Sequence, residues 1–173
     1  MASASILVDA FVLLYCLLLV ACATTDFLWL RIPNVLVLAF LALFGACVAV
    51  SDVQVNWFGH LVPALVSFGL GMLLFQFDKM GGGDVKLLAA AVLWIGLNGL
   101  PTFLLGLGIG GLAVVFLFLA AWRHLDGSAL RLKLRPDAGG IVPLSLAHPR
   151  QIPYGVVIAI ASIGSVGKVP FFM

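Results

Sequence analysis

Apolar residues run along this chain in long blocks, not in the one-sided or alternating patterns of a soluble fold. A helix needs roughly 20 apolar residues to cross about 30 Å of hydrocarbon. Six segments meet or approach that length, at about 4–23, 33–50, 57–77, 84–100, 102–122 and 152–172. Short connections separate them, apart from one longer stretch, 123–151. The pattern predicts one all-α membrane domain over residues 1–173 with six transmembrane helices. The first block has no Lys or Arg before it and carries Asp9, so the basic region of a signal peptide is missing. It is expected to stay in the protein as a transmembrane helix.

Composition agrees with that reading and narrows the function. The chain is 64% hydrophobic and 9% charged, with a mean hydropathy of +1.24. A soluble domain carries about a quarter charged residues. A formal charge of +2 provides no broad basic face, so no nucleic-acid partner is expected. Cys16, Cys22 and Cys47 lie inside apolar runs and form no CxxC pair. His60, His124 and His148 have no ligand spacing, so neither a metal nor another cofactor is expected.

The nine Lys and Arg orient the helices. Arg31, Lys79, Lys86, Arg123, Arg131, Lys133, Arg135 and Arg150 fall on one side if six helices alternate, and only Lys168 falls on the other. The opposite connections, 51–57 and the turn near 98–101, have no basic residue. Basic loops stay in the cytoplasm. Both termini are therefore expected in the periplasm of a bacterium, with the protein in the inner membrane.

All seven acidic residues are Asp. Ionisable groups at membrane depth are candidate functional groups. Asp9 and Asp52 map to the outer side, and Asp126 and Asp137 fall in the long inner connection, where solvated surface is the ordinary role. Asp26, Asp78 and Asp84 remain, all at inner helix ends. Asp26 stands in ATTDFLWLRIPN, apolar on both sides, and is expected to end the first helix at the interface. Asp84 follows three glycines in KMGGGDVKLL. Glycine allows positive φ and close approach by another chain. The helix after it has about 17 residues before Pro101, roughly 25 Å, which is short for a crossing. The glycine segment is therefore expected to dip into the bilayer and carry Asp84 into a sheltered, wet pocket. Viewed alone, Asp26 is more often a cap or interfacial residue, and for the Asp84 motif a flexible turn with an N-cap is an equal alternative. Together they lie at similar depth on the same side, and two facing carboxylates share a proton, one acting as acid and one as base. One activates water while the other protonates a carbonyl, which is aspartic peptide hydrolysis.

These segments resemble a known family. Gly81-Gly82-Gly83-Asp84 matches the Gly-x-Gly-Asp signature of polytopic aspartic proteases. With Val85-Lys86-Leu87-Leu88 after it, and with Asp26 followed by Ile32-Pro33-Asn34, the chain is similar to the type IV prepilin peptidases. Pro153-Tyr154-Gly155 opening the last helix is similar too. The resemblance implies that Asp26 and Asp84 are the catalytic pair and that Gly81 and Gly83 shape the second loop. The implied reaction is removal of the basic leader from a prepilin, a substrate with a hydrophobic helix, at the cytoplasmic face. Larger relatives carry a paired-cysteine segment associated with N-methylation. This chain has no CxxC, so peptidase activity alone is expected, as in the compact peptidases of Tad (Flp) pilus systems.

Other polar residues have lesser expected roles. Lys86 lies about 200° around the helix from Asp84, so it is expected to snorkel toward headgroups, with a supporting role left open. Gln76 is a candidate pocket residue, and packing is its commoner alternative. Asp78 beside Lys79 is expected at the surface. The alternating segment LRLKLR, 130–135, is expected either to lie extended on the membrane face or to be solvated loop. The inner side carries eight bases against five acids, a formal +3, which does not attract a basic leader. A rival reading uses the same aspartates as the proton relay of a small transporter, but no inverted repeat supports it. The oligomeric state is not legible.

Overall fold

A computed structural model describes residues 2–50, 54–124 and 153–169. The expected segment 130–135 lies outside the described residues, as does most of 123–151. The helices are α1 (Ala2–Trp29), α2 (Asn34–Val50), α3 (Trp57–Gln76), α4 (Gly82–His124) and α5 (Tyr154–Gly164). A 3-10 turn, Val166–Lys168, follows α5. Among the described residues there is no strand, so the fold is all-α. Among the described residues three helices are long and apolar enough to cross a membrane: Asp9–Trp29, Trp57–Gln76 and Gly82–Leu117. Asn34–Val50 and Tyr154–Gly164 are apolar but shorter.

Two boundaries differ from expectation. The first helix runs to Trp29, so Asp26 sits inside its last turn. The expected reversal near 98–101 is instead a break within α4 at Gly96, where φ is 67° and ψ −176°. Only glycine adopts that conformation without steric cost. Pro101 then comes early in the second arm of α4, near the stretch where a helix leaves its N–H groups unpaired in any case. At the break, His60 Nδ1 donates to the Leu93 carbonyl at 2.7 Å.

Contacts between helix ends define the path of the chain. At one end Lys86 meets Asn34, Phe75 borders Gly82 and Asp26 meets Gly155. At the other end the rings of Phe44 and His60 pack together, and Gly99 borders Lys168. In between, a Cβ on Gly106 would stand 3.2 Å from Ala161 Cα, so the second arm of α4 lies backbone-close against α5. Successive legs therefore run antiparallel.

Tyr15, Phe40, Phe44 and Trp94 join α1, α2 and the first arm of α4. Trp94 stands 5.0 Å from Tyr15, 5.6 Å from Phe40 and 5.4 Å from Phe44, centroid to centroid. Tilted and edge-on rings at this spacing attract beyond simple area burial. Trp94 Nε1 also donates to the Phe40 carbonyl at 3.1 Å. Lipid tails are as apolar as the core, so such packing and hydrogen bonds, not burial from water, hold the helices together. Trp94→Ala is expected to destabilise the protein by about 3 kcal/mol or more through cavity and lost contacts. Trp94→Phe is expected to lose less. Unfolding in mixed micelles measures both.

Candidate active site

The periodicity that packs the helices also aims the carboxylates. On α1 the buried positions Tyr15, Leu19, Cys22 and Asp26 follow one another at steps of four, three and four, a single helix face. Asp26 is the last member of that stripe and is 3% exposed. On α4 Asp84 begins the buried stripe that continues through Leu87, Ala91 and Ile95, and it is 7% exposed. On α5 Gly155 begins the buried stripe of Ile158 and Ser162. Three core stripes thus bring Asp26, Asp84 and Gly155 to one end of the bundle.

Their junction is made by backbone. The first N–H groups of a helix have no partner within it, and at α5 the Gly155 N–H donates to Asp26 Oδ2 at 2.7 Å. Asp84 lies beside them, since Ile32 borders both Gly83, its neighbour in α4, and Gly155. Asp84 Oδ1 is buried and makes no hydrogen bond among the described residues, so one acid is anchored and the other retains a spare oxygen.

The glycines admit this approach by lacking a Cβ. At Gly155 a Cβ would come within 2.9 Å of Asp26 Oδ2 and 3.0 Å of Ile32 Cδ1. At Gly83 it would meet Ile32 Cβ at 3.0 Å and the Ile32 carbonyl at 3.2 Å, and at Gly81 it would meet Asp84 Oδ2 at 2.8 Å. The expectation of an irregular glycine loop is corrected here. Gly82 and Gly83 already belong to α4, and Gly96 alone among the described glycines has positive φ. What the Gly81–Gly83 stretch supplies is proximity, not unusual dihedrals. Asp84, expected in a sheltered pocket, is enclosed by its neighbours.

The segment after α1 completes the enclosure. Leu30 adopts φ 50°, a left-handed conformation that costs a non-glycine residue roughly 1 kcal/mol. It turns the chain so that Ile32 is buried against both Gly83 and Gly155. Lys86 is exposed on the far face of α4, and its Nζ donates to Asn34 Oδ1 at 2.9 Å. Gln76, the candidate pocket residue, is exposed at the end of α3, and Asp78 is exposed in the turn after it, at φ 54°. The structure does not bring either to the carboxylates. Among the described residues no group of His, Cys or Asp has metal-site geometry. Sequence reasoning gave no role to Gly155, Ile32 or Asn34. All three lie inside motifs it had noted, but nothing local says that they touch.

Asp26 and Asp84 are thus buried carboxylates from two apolar helices at one end of an all-α bundle with helices long enough to cross a membrane. The model of the Type IV leader peptidase family matches residues 13–118. The matched stretch holds both aspartates and all three glycines of 81–83, and the chain belongs to that family. Gly155 lies beyond it. No curated protein and no solved structure matches the chain.

Leader cleavage is expected to fall by about tenfold in Gly155→Ala, since a Cβ 2.9 Å from Asp26 Oδ2 displaces it by a fraction of the 1 Å that costs about a hundredfold. Gly83→Ala is expected to act similarly, because the Ile32 backbone cannot yield. Gly69→Ala, whose Cβ meets nothing within 4 Å, is expected to behave as wild type. A mass-resolved cleavage assay in detergent compares the three.

Proposed function

We propose that this protein is an aspartic endopeptidase that removes the basic leader of a type IV, Flp-like prepilin, with Asp26 and Asp84 as the catalytic pair. The observation that carries the reading is the 2.7 Å hydrogen bond from the Gly155 N–H to Asp26, a buried carboxylate at the same end of the bundle as buried Asp84. Family membership supports leader peptidase chemistry in general.

In the proposed reaction one carboxylate takes a proton from a water held between the pair. The water oxygen attacks the scissile carbonyl carbon, and the other carboxyl gives its proton to the carbonyl oxygen. The gem-diol then collapses. A proton passes to the leaving nitrogen, the C–N bond breaks, and the products are a carboxyl-ended leader and a free amine on the pilin. Asp26, tied to Gly155, is the positioned member. Asp84, with its spare oxygen, is the member free to face water and substrate. The site is closed at rest, so the substrate's extended backbone must open the Ile32 segment to reach it. Peptidase activity without N-methylation is proposed from the lack of any CxxC.

The proposed topology has six passes, with α4 counted as two legs about Gly96, both termini periplasmic and the acid pair toward the cytoplasm. The antiparallel path and the distribution of basic residues support it. Asp26→Asn and Asp84→Asn are each expected to abolish cleavage of a purified prepilin, while Asp78→Asn retains it. Full activity in either of the first two removes the pair from the mechanism. For the topology, single cysteines at positions 31 and 168 are placed in a background where Cys16, Cys22 and Cys47 are serine. A membrane-impermeant maleimide added to intact cells is expected to label position 168 and spare position 31.

A further inference from the structure

A second feature lies on the other side of α4 from the acids. Between α2, α3 and the first arm of α4 runs a groove of about 520 Å³, within the usual range of small-molecule sites. Its α4 wall is the stripe Lys86, Ala89, Ala90 and Leu93. Lys86 is about 200° from Asp84, so the groove is separated from the acid pair by the body of the helix. The lining is apolar except at one end, where Asn34 and Lys86 stand together. From Lys86 to Leu93 the groove runs about 10 Å along the helix, most of one leaflet's hydrocarbon depth.

We infer that this groove binds an anionic phospholipid of the cytoplasmic leaflet, one acyl chain against the apolar wall and the phosphate at Lys86 Nζ. Asn34 Oδ1 accepts one N–H of the ammonium and holds it at the mouth of the groove without neutralising it. An ammonium carries three donors, so two remain for phosphate oxygens. Charge complementarity decides the occupant. A phosphate at headgroup level matches Lys86, whereas the basic leader of a prepilin is repelled by it. The inference is independent of the proposed catalytic roles.

The test uses the purified protein in detergent, with lipid retention read by native mass spectrometry. Wild type is expected to hold phosphatidylglycerol about fivefold more tightly than phosphatidylcholine of the same chains, the preference one near-surface Lys confers. Lys86→Gln is expected to erase that preference and Lys86→Arg to keep it. Ala89→Phe, which fills the wall, is expected to weaken both lipids. Equal retention of the two lipids by wild type, or an undiminished preference in Lys86→Gln, overturns the inference. A thermal shift with inorganic phosphate alone that matches the lipid's identifies a free-anion site and also overturns it. So does displacement of phosphatidylglycerol by a leader-bearing prepilin peptide, which assigns the groove to substrate.

Discussion

One backbone N–H, that of Gly155, ties the start of α5 to the buried acid of α1. It belongs to the first turn of α5, where a helix has donors to spare, and it reaches Asp26 Oδ2 at 2.7 Å. That distance exists only because residue 155 has no Cβ, which would otherwise stand 2.9 Å from the same oxygen. A carboxylate inside an apolar bundle is costly unless it is hydrogen-bonded. Here the compensating donor comes from a helix distant in sequence, so the acid can be buried only when the bundle is assembled.

The same logic extends outward. Gly83 lets the Ile32 backbone lie against the start of α4, and the left-handed turn at Leu30 delivers Ile32 there. The Lys86–Asn34 hydrogen bond pins the next residues of that segment to the outer face of α4. Deep in the bundle the rings about Trp94 fix α1 and α2 against α4, which sets the height at which Asp26 and Asp84 emerge. The placement of the two carboxyls therefore depends on rings about 15 Å along each helix. Asp26 and Asp84 are both buried, with Ile32 packed beside the glycines that flank them.

α4 has two working faces. One carries Asp84 into the core, and the other carries Lys86 into the groove shared with α2 and α3. A two-residue offset on a helix is enough to separate them, because it rotates a side chain by about 200°. Lipid held on the outer face would stiffen the leg that presents the acid without touching the chemistry.

Much of this was legible in the chain itself. Apolar block length marks membrane helices, and Asp26 and Asp84 stand out because charge is rare in such blocks. The 3.6-residue period already places Asp26 on the face of Tyr15, Leu19 and Cys22. The sequence by itself thus determined an all-α membrane protein of the leader peptidase family with two candidate acids. It did not determine where α4 breaks. Asn98 and Pro101 are the local signals for a turn, but the tertiary structure puts the reversal at Gly96, against His60. Nor did it determine what the glycines do, since φ freedom and close approach leave the same mark on a sequence. Only the assembled bundle decided that Gly81, Gly83 and Gly155 are spaces for other chain segments. The reason is physical: periodicity reports which face a residue occupies, whereas a contact such as Gly155 to Asp26 depends on the relative height and rotation of two helices, which no local pattern carries.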